Sequence, residues 1–442
     1  MNVIWFVVDT LRADHLGCYG YFRKTSPNID QLAAEGVLFE DSYASAIATG
    51  PGFSSLFTGL AAINHGFYLT PWDVINAPLL DDRILTLPEL IQARGAYTTA
   101  AFDNLINFRS HMKQFVRGFE FYVNTTRSPA WMHHYVIADE INHRLLPWLE
   151  RHADEPFFAF VHYWDPHIPY NMPAKFRGKF DQRRGDLAVK EAPAGYAYVP
   201  GWGLADQLPA GEEGLSVDLY DDEVFYTDHS IGLVRQKLVE LDLLDETTIV
   251  VTSDHGEDLD LHGLWGHGTV HDTTIRVPLI IRDPRQLPAG KRIPGFVQHV
   301  DNLPTILEYF PGQQRPDFER VTIADYMPDI PSRFDGDSLL KLVRGERTAL
   351  EEIVVESGEH RAYLSPPWKL IWYRHGRESE LFHLGDDPLE LNDRAEEEPE
   401  VLAELSEKLR RWVAQNLSGA RTDPIFASEG AWTCYIGKRG AR

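Results

Sequence analysis

The stretch Val3–Thr10 (VIWFVVDT) decides the fold, because an unbroken apolar run ends abruptly on a carboxylate. A short continuous apolar run rich in β-branched and aromatic residues is typical of a strand buried on both faces of a sheet. Similar runs recur at Phe157–Tyr163 and Thr247–Thr252, and Asp254 follows the second of them closely. Helical patterns such as Pro27–Ala33 alternate with these runs. The sequence therefore predicts a parallel sheet covered by helices.

The same patterns predict the other elements of the chain. Helices are expected at Leu87–Ala93 and Asp218–Leu241, and strands at Val37–Phe39, Tyr97–Phe102 and Pro278–Ile281. After Gly345 an antiparallel meander is expected at Ile353–Val355, Ala362–Leu364, Trp368–Tyr373 and Leu381–His383, with a charged helix at Pro399–Gln415. We therefore predict a catalytic α/β domain over residues 1–345 and a small α+β subdomain over residues 346–442, with a long insertion at 175–214.

Composition and charge narrow the function classes. The 442 residues include 42 basic and 66 acidic ones, for a formal net charge of −24, so neither nucleic acid nor an anionic membrane is an expected partner. Only Cys18 and Cys434 are present, and no leader or membrane-spanning run is evident, so we expect a cytoplasmic protein. The tail after Leu417 has no strong periodicity and is the segment through which a homo-oligomer would form.

Two strand ends carry metal-binding residue types. Asp9 directly follows an apolar strand, where a carboxylate needs a partner such as a cation, unless it merely caps the next turn. Asp254 and His255 follow another strand, and we expect Gly256 to allow the backbone angle that lets both converge on one ion. Three histidines follow within ten residues: His262, His267 and His271. Imidazole combined with carboxylate suits zinc, manganese or iron better than calcium or magnesium.

A hydroxyl lies at the predicted start of a helix. Pro51 suits the first turn of that helix, which leaves Thr49 at its amino end. Partial positive charge and free N–H groups at this place stabilise an alkoxide or an incoming anion. The hydroxyl pKa is too high for attack at neutral pH without a base or a metal. Thr49 is therefore either a nucleophile or simply the residue that caps the helix.

Several of these segments resemble the motifs of sulfatases, in the order expected for that branch of the alkaline phosphatase superfamily. Asp9–Gly20 resembles the opening metal motif, and Pro27–Ala33 resembles the helix that follows it there. The second metal motif is resembled by Ser253–Glu257, His262-Gly263 and Arg276–Leu279, and the C-terminal signature by Leu381–Leu384 and Asp386–Asn392. The resemblance implies an alkaline-phosphatase-like sandwich with a central, mostly parallel sheet flanked by helices and a small C-terminal subdomain. It also implies in-line attack by the nucleophile, a covalent enzyme ester, and its hydrolysis by water.

The chain departs from the sulfatase pattern at the nucleophile. Sulfatases carry Cys or Ser, any residue, then Pro-Ser-Arg, and convert the first residue to formylglycine. Here Thr49, Pro51, Gly52 and Phe53 occupy those positions. Thr cannot become formylglycine, because its β-carbon bears a methyl group, and the Arg is missing. Thr is the nucleophile in the similar nucleotide pyrophosphatase/phosphodiesterases and phosphoethanolamine transferases. His267 replaces a Lys found in many sulfatases.

A fourth segment leaves the number of metal ions open. Asp165-Pro166-His167 resembles the Asp-Pro-His segment of the family, whose His faces the leaving group or the substrate. One hypothesis places Asp9, Thr49, Asp254 and His255 on one ion and Asp165, His167 and His267 on a second. The alternative is a single ion, with His167 and His267 contacting substrate oxygens. Zinc or manganese is favoured, and magnesium, calcium and iron remain open.

The leading functional hypothesis is a hydrolase of small phosphoesters, with a diester or a phosphonate monoester favoured over a simple monoester. It rests on Thr49 and on the absence of positive charge at Phe53 and His267, since fewer fixed charges suit a less highly charged substrate. The alternatives are a sulfate-ester hydrolase that uses Thr49 without formylglycine, a phospho-alcohol transferase, and an inactive binding protein. Phe53 and Trp164 either line a pocket for an apolar leaving group or belong to the core.

Overall fold

The computed structural model describes residues 1–68, 80–95, 97–103, 114–124, 136–168, 170, 172–180, 216–259, 261–262, 265–312, 334–417 and 422–426. The insertion predicted at 175–214 lies outside the described residues from 181 onward. Most of the tail after Leu417, through which we expected a homo-oligomer to form, also lies outside them.

An eight-stranded, mostly parallel sheet forms the centre of the molecule. Its strands are β1 (Asn2–Val8), β2 (Val37–Tyr43), β3 (Thr98–Asp103), β4 (Phe121–Asn124), β5 (Phe157–Tyr163), β6 (Thr247–Thr252), β9 (Leu279–Arg282) and β10 (Lys291–Gln298). Between them in the chain, β7 (Asp258–Leu259) and β8 (Trp265–Gly266) form a separate ribbon. The spatial order is β10-β2-β9-β6-β1-β5-β3-β4, and β9 pairs antiparallel with both neighbours. The predicted fold class is confirmed.

Helices cover both faces of this sheet. In chain order, the helices of the described residues are α1 (Pro27–Glu35), α2 (Thr49–Thr58), α3 (Ala62–His65), α4 (Leu87–Ala93), α5 (Ala138–Arg151), α6 (Ser216–Glu240), α7 (Asp272–Ile275), α8 (Asn302–Glu308), α9 (Leu339–Arg344) and α10 (Pro399–Asn416). Short 3-10 turns occur at Ala13–His15, Gly17–Tyr19, Leu244–Glu246, His299–Asp301 and Pro424–Phe426. None of the helices in the described part of the chain has the length and apolarity required to cross a bilayer.

The alternation of side chains along β1 explains the two layers. Ile4, Phe6 and Val8 are fully or almost fully buried in one apolar cluster, together with residues of α1, α5 and α6. Trp5 and Val7 point to the opposite face, in a second cluster with residues of α2, α4, α8 and α9. Because both faces of the strand are buried, its sequence is continuously apolar rather than alternating. This arrangement brings α2 against the face that carries Trp5 and Val7.

A second, antiparallel sheet follows in the C-terminal part of the chain. Its strands are β11 (Ile353–Glu356), β12 (His360–Ser365), β13 (Trp368–Tyr373) and β14 (Glu380–His383), paired in sequence order. One face packs against α10 through Leu405 and Leu409. The other face packs against Tyr43, Ile275 and Val277 of the central unit. The predicted meander and charged helix are both present, and the small sheet lies between that helix and the central unit.

Some elements were not predicted, and the sequence explains why. In β10 the register with β2 shifts between Ile293 and Phe296, and the intervening Gly295 has φ 91°. A Pro-Gly pair is normally a turn signal, so a bulged strand that contains one is hidden. Helix α5 contains Pro147. A proline inside a helix removes a backbone donor and argues against the assignment, although this helix forms nonetheless.

The buried histidine of α3 makes the stability of the fold sensitive to acid. His65 Nδ1 accepts a hydrogen bond from the Phe67 amide at 3.1 Å, so its proton is on Nε2, 3.2 Å from Ser55 Oγ. Burial lowers the pKa of His65 from 6.5 to about 3. The unfolded chain binds a proton below about pH 6.5 while the folded chain does not, so stability falls as the pH falls.

We expect His65→Gln to reduce the stability loss between pH 7 and pH 5 by about 2 kcal/mol, which is the linkage contribution of one such histidine. The measurement is the free energy of unfolding in urea at both pH values. His143→Gln, at an exposed position of α5, is the matched control and should leave the difference unchanged. If His65→Gln loses as much stability between pH 7 and pH 5 as the natural protein does, His65 also titrates in the folded protein.

Candidate active site

The carboxyl ends of β1, β5 and β6 meet at one edge of the sheet. β1 lies between the other two strands, with Val7 opposite both His162 and Thr252. The Asp9 amide donates to the Tyr163 carbonyl at 2.8 Å, which extends the pairing one residue beyond the strand. Side chains that follow these strands therefore share one site, as expected at the carboxyl edge of an open α/β sheet.

Asp9, Asp254 and His255 form a compact, fully buried group whose potential ligand atoms all lie within 4.8 Å of one another. Among the described residues, both carboxylate oxygens of Asp9 and Oδ2 of Asp254 have no hydrogen-bond partner. Burial, and then the charge of Asp9, raises the pKa of Asp254 well above its usual value. Adjacent buried carboxylates with unsatisfied oxygens require positive charge, so this donor set fits a divalent cation.

The His255 ring has the tautomer that a metal ligand needs. Its Nδ1 lies 2.9 Å from the Gly256 carbonyl, which only accepts, so Nδ1 carries the proton. The lone pair of Nε2 then faces Asp254 Oδ2 at 3.4 Å and Asp9 Oδ1 at 3.9 Å. Burial lowers the pKa of His255 well below its usual value, which keeps the ring neutral. The backbone carbonyl thus orients the imidazole toward the two carboxylates.

Thr49 is the first residue of α2, and its Oγ1 lies 3.3 Å from His255 Nε2. The N-cap position belongs to Ala48, so Thr49 does not cap the helix, and the helix begins two residues before the predicted Pro51. Gly52 explains the close docking, because a Cβ there would lie 2.9 Å from the Asp254 carbonyl oxygen. The nucleophile candidate and the carboxylate group are therefore held together by backbone packing.

The expected role of Gly256 is wrong. Its φ is not in the left-handed region, whereas Thr10, the residue after Asp9, has φ 57°. A Cβ on Gly256 would lie 2.1 Å from the Thr273 carbonyl oxygen, so glycine is required by close packing and not by an unusual angle. The strained backbone lies at Thr10, whose amide is 3.3 Å from Asp254 Oδ1.

His167 and His267 lie beside the same group. The His267 ring stacks on His255 with centroids 4.3 Å apart, and His167 lies 5.0 Å from His267 by the same measure. His267 Nδ1 is 3.4 Å from Glu257 Oε1, and His167 Nδ1 donates to the Ile168 carbonyl. Burial lowers the pKa of His167. His267 thus packs on the ring that lies beside Thr49, and His167 packs on His267 in turn.

Asp165 is oriented differently from the other predicted residues. Its Oδ2 accepts a hydrogen bond from the Ala138 amide at 2.7 Å, at the first residue of α5. Burial raises the pKa of Asp165 to about 7. Among the described residues, Asp165, His167 and His267 do not form a three-ligand group like that of Asp9. The structure thus brings the other six predicted residues together and directs Asp165 to the helix.

Two buried residues of the site were not predicted. His162 Nδ1 lies 2.6 Å from Asp103 Oδ1, and His162 Nε2 lies 3.7 Å from Asp9 Oδ2. Burial opposes protonation of His162, but its contacts with Asp103 and Asp9 outweigh burial and raise its pKa to about 9. A sequence signal existed, because Asp103 follows the predicted strand Tyr97–Phe102 just as Asp9 follows β1.

The downstream histidine cluster divides into two. His267 belongs to the site, whereas His262 and His271 stack on each other with centroids 3.8 Å apart and meet Glu390 from the C-terminal part. His262 Nδ1 lies 2.7 Å from an Asp258 oxygen and Nε2 lies 2.9 Å from the Leu389 carbonyl. Both nitrogens of His262 thus face acceptors, and Lys369 pairs with Glu390. This cluster is an ion-pair network that joins the two parts of the chain.

The aromatic residues near Thr49 belong to the core. Phe53 is fully buried, with its ring centroid 4.8 Å from that of His162 and 6.0 Å from that of Phe160. Trp164 is 3% exposed. Phe53 therefore fills the layer beneath the site and brings no charge to it.

Known proteins resemble this chain in sequence and in fold. The family model "Sulfatase" matches residues 1–312, and a model of the N-sulphoglucosamine sulphohydrolase C-terminal region matches residues 260–415. The uncharacterized sulfatase YidJ of Escherichia coli K12 is 27% identical over 69% of this chain and 67% of its own length. Human iduronate 2-sulfatase is 26% identical, over 89% and 82% respectively. The phosphonate monoester hydrolase of Silicibacter pomeroyi superposes with a TM-score of 0.72 at 22% identity, covering 96% of this chain and 99% of that one.

Proposed function

Because this chain belongs to the sulfatase family of the alkaline phosphatase superfamily, a family of ester hydrolases, we propose that it hydrolyses small phosphoesters with Thr49 as nucleophile. Diesters or phosphonate monoesters are its preferred substrates. The observation that carries the proposal is the position of Thr49 Oγ1, 3.3 Å from His255 Nε2 and beside the buried carboxylates of Asp9 and Asp254. A hydroxyl at this place meets the requirements of an activated nucleophile.

We propose that one divalent ion is held by Asp9, Asp254, His255 and Thr49. When bound, such an ion lowers the pKa of the Thr49 hydroxyl and neutralises charge on the transferred group. The imidazole in the set favours zinc or manganese. Among the described residues, the ligand atoms of Asp165, His167 and His267 do not converge as those of Asp9, Asp254 and His255 do, and Asp165 Oδ2 accepts a hydrogen bond from the Ala138 amide. The single-ion version therefore fits the arrangement of side chains better.

Residues of the chain carry out the attack, the binding of the anion and the proton transfers. Thr49 Oγ1 forms the bond to phosphorus as the bond to the leaving oxygen breaks, and water later cleaves the enzyme ester. The amino end of α2 presents partial positive charge to the incoming anion. His267, whose ring stacks on His255, contacts the non-bridging oxygens or gives a proton to the leaving oxygen. His167 lies against His267, and because its Nδ1 donates to the Ile168 carbonyl and burial lowers its pKa, the neutral ring offers Nε2 as a proton acceptor.

Two residues support this choice of substrate. Thr49 has a branched β-carbon and cannot become the aldehyde on which formylglycine sulfatases depend. Phe53 is fully buried and apolar at the position where those enzymes carry Arg. A site with fewer fixed positive charges suits a singly charged diester or phosphonate ester better than a doubly charged phosphate monoester. A sulfate ester is also singly charged, so the preference for phosphorus over sulfur rests on Thr49 and on the missing Arg of the formylglycine signature. The second candidate is a sulfate-ester hydrolase using Thr49 directly, favoured by the likeness to iduronate 2-sulfatase over 89% of this chain.

A comparison of substrates tests this proposal. Metal-replete protein is assayed on an aryl phosphate monoester, a phosphate diester, a phosphonate monoester and a sulfate ester with the same leaving group. We expect the diester or the phosphonate ester to exceed the sulfate ester by at least about 100-fold in kcat/KM, a difference of roughly 3 kcal/mol in transition-state stabilisation. A faster sulfate ester would establish the second candidate in its place.

A further inference from the structure

The buried pair of Asp103 and His162 lies beneath the site, and the proposed reaction does not use it. Asp103 is the last residue of β3 and His162 is the penultimate residue of β5, and both are fully buried. The two strands are neighbours with Phe102 opposite Val161, so their next residues face each other. A buried carboxylate and imidazole at adjacent strand ends are costly to desolvate and require a compensating role.

The orientation of the His162 ring is fixed from several sides. Its Nδ1 is bound to Asp103 Oδ1 at 2.6 Å, and Asp103 Oδ2 is occupied by the Tyr122 hydroxyl. Phe53 and Trp164 pack on the ring with centroids 4.8 and 5.0 Å away. Because Asp103 binds Nδ1 and the two aromatic rings prevent rotation of the imidazole, Nε2 can point in only one direction.

That direction is toward Asp9. His162 Nε2 lies 3.7 Å from Asp9 Oδ2 and has no hydrogen-bond partner among the described residues. Asp9 likewise has no hydrogen-bond donor to either oxygen there, although its amide is fixed by the Tyr163 carbonyl at 2.8 Å. A movement of less than 1 Å would close the Nε2–Oδ2 distance to a hydrogen bond of ordinary length, about 2.9 Å.

We propose that Asp103 and His162 are positioning residues, which orient the Asp9 carboxylate and thereby strengthen the binding of a divalent cation at the site. The inference rests on the metal site of the proposed function. Partners that orient a ligating side chain through hydrogen bonds typically change metal affinity by about 10–100-fold. The Asp103–His162–Asp9 chain has the same form, with the carboxylate of Asp9 as the group that is oriented.

The test is the affinity of the EDTA-stripped full chain for Mn²⁺ alone, measured by titration calorimetry. We expect His162→Leu to weaken binding by about 10–100-fold, and His162→Gln, whose amide reaches the position of Nε2, to stay within about fivefold of the natural protein. Asp103→Asn should weaken binding in the natural background and have no further effect in His162→Leu, because Asp103 acts through His162.

His15→Leu is the matched control. His15 forms another buried pair, with Nδ1 2.7 Å from Asp221 Oδ1. Its replacement therefore shows the effect of removing a buried His–Asp pair that does not face Asp9. We expect it to lower the thermal stability and to leave the Mn²⁺ affinity unchanged. Equal weakening in His15→Leu and His162→Leu would reduce the role of His162 to a structural one and overturn the inference.

Spectroscopy separates positioning from direct ligation. The number of nitrogen nuclei coupled to bound Mn²⁺ should be the same in the natural protein and in His162→Leu. Loss of one coupled nitrogen would make His162 a ligand and overturn the inference. Unchanged affinity in His162→Leu would do so as well. If the natural protein itself binds no Mn²⁺, zinc or other divalent ion, the metal site of the proposed function fails, and the inference fails with it.

Discussion

Replacing Thr49 by alanine is expected to lower kcat/KM on the best phosphoester by at least about 10⁴-fold, the scale on which loss of a catalytic nucleophile acts. The side chain is 3% exposed and its Oγ1 faces the Asp9 group, so no bulk water replaces it at the same place. Thr49→Ser keeps the hydroxyl and should keep most of the rate. The measurement is steady-state kinetics together with a mass-spectrometric search for the enzyme ester after rapid acid quench.

Thr58→Ala provides the control for this substitution. Thr58 is the last residue of the same helix, is 1% exposed, and uses its hydroxyl to bind the Ser54 carbonyl at 2.6 Å. Its loss removes an equally buried hydroxyl from α2 without touching the site, so activity should be retained. Full activity in Thr49→Ala would refute the nucleophile assignment, and equal loss in both variants would point to the folding of α2.

Asp254→Asn should have opposite effects on function and on stability. The variant removes a charge from the donor set, so we expect Mn²⁺ affinity and turnover to fall by at least about 100-fold, more than for a residue that only orients a ligand. Without metal the same variant should be more stable by about 1–3 kcal/mol, because it removes the cost of burying a second carboxyl group next to Asp9. Burial and the charge of Asp9 are the causes that raise the pKa of Asp254.

Thermal unfolding in EDTA and in excess Mn²⁺ measures both effects. Because Mn²⁺ binds the folded protein, it should raise the unfolding temperature of the natural protein. Asp254→Asn should have a higher unfolding temperature than the natural protein in EDTA, and Mn²⁺ should raise it only slightly. Asp386→Asn, whose side chain is 74% exposed, removes one negative charge elsewhere and should behave like the natural protein. A lower unfolding temperature of Asp254→Asn in EDTA would show that the carboxylate is stabilising even without a cation.

The strands and the core of the site follow directly from the order of the residues. Phe157–Tyr163 and Thr247–Thr252 are strands with the predicted bounds, because strands buried on both sides leave uninterrupted apolar runs. A carboxylate that ends such a run cannot face the core, which is why Asp9 and Asp254 were predicted to be near a site. Applied to Asp103, which follows the predicted strand Tyr97–Phe102, the same rule would have placed this carboxylate near the site and pointed to its partner His162.

The direction of a side chain beyond a strand end was less predictable. Asp165 and His167 are two residues apart, yet one binds the amide of Ala138 and the other lies beside His267. That difference depends on α5, which the sequence analysis did not predict. Similarly, His262 and His267 are close in sequence, but His262 is drawn to Leu389 of the C-terminal part. Local spacing carries no information about such distant partners.

The tight docking of α2 restricts how the site can be re-engineered. Restoring a formylglycine signature would require Thr49→Cys, Gly52→Ser and Phe53→Arg together. The second change would place a Cβ 2.9 Å from the Asp254 carbonyl oxygen, and the third would bury a guanidinium against His162 and Phe160. The helix would have to move away from β6 before the new residues could act. Conversion to the aldehyde-dependent chemistry therefore requires a backbone rearrangement, and single substitutions introduced one at a time do not produce it.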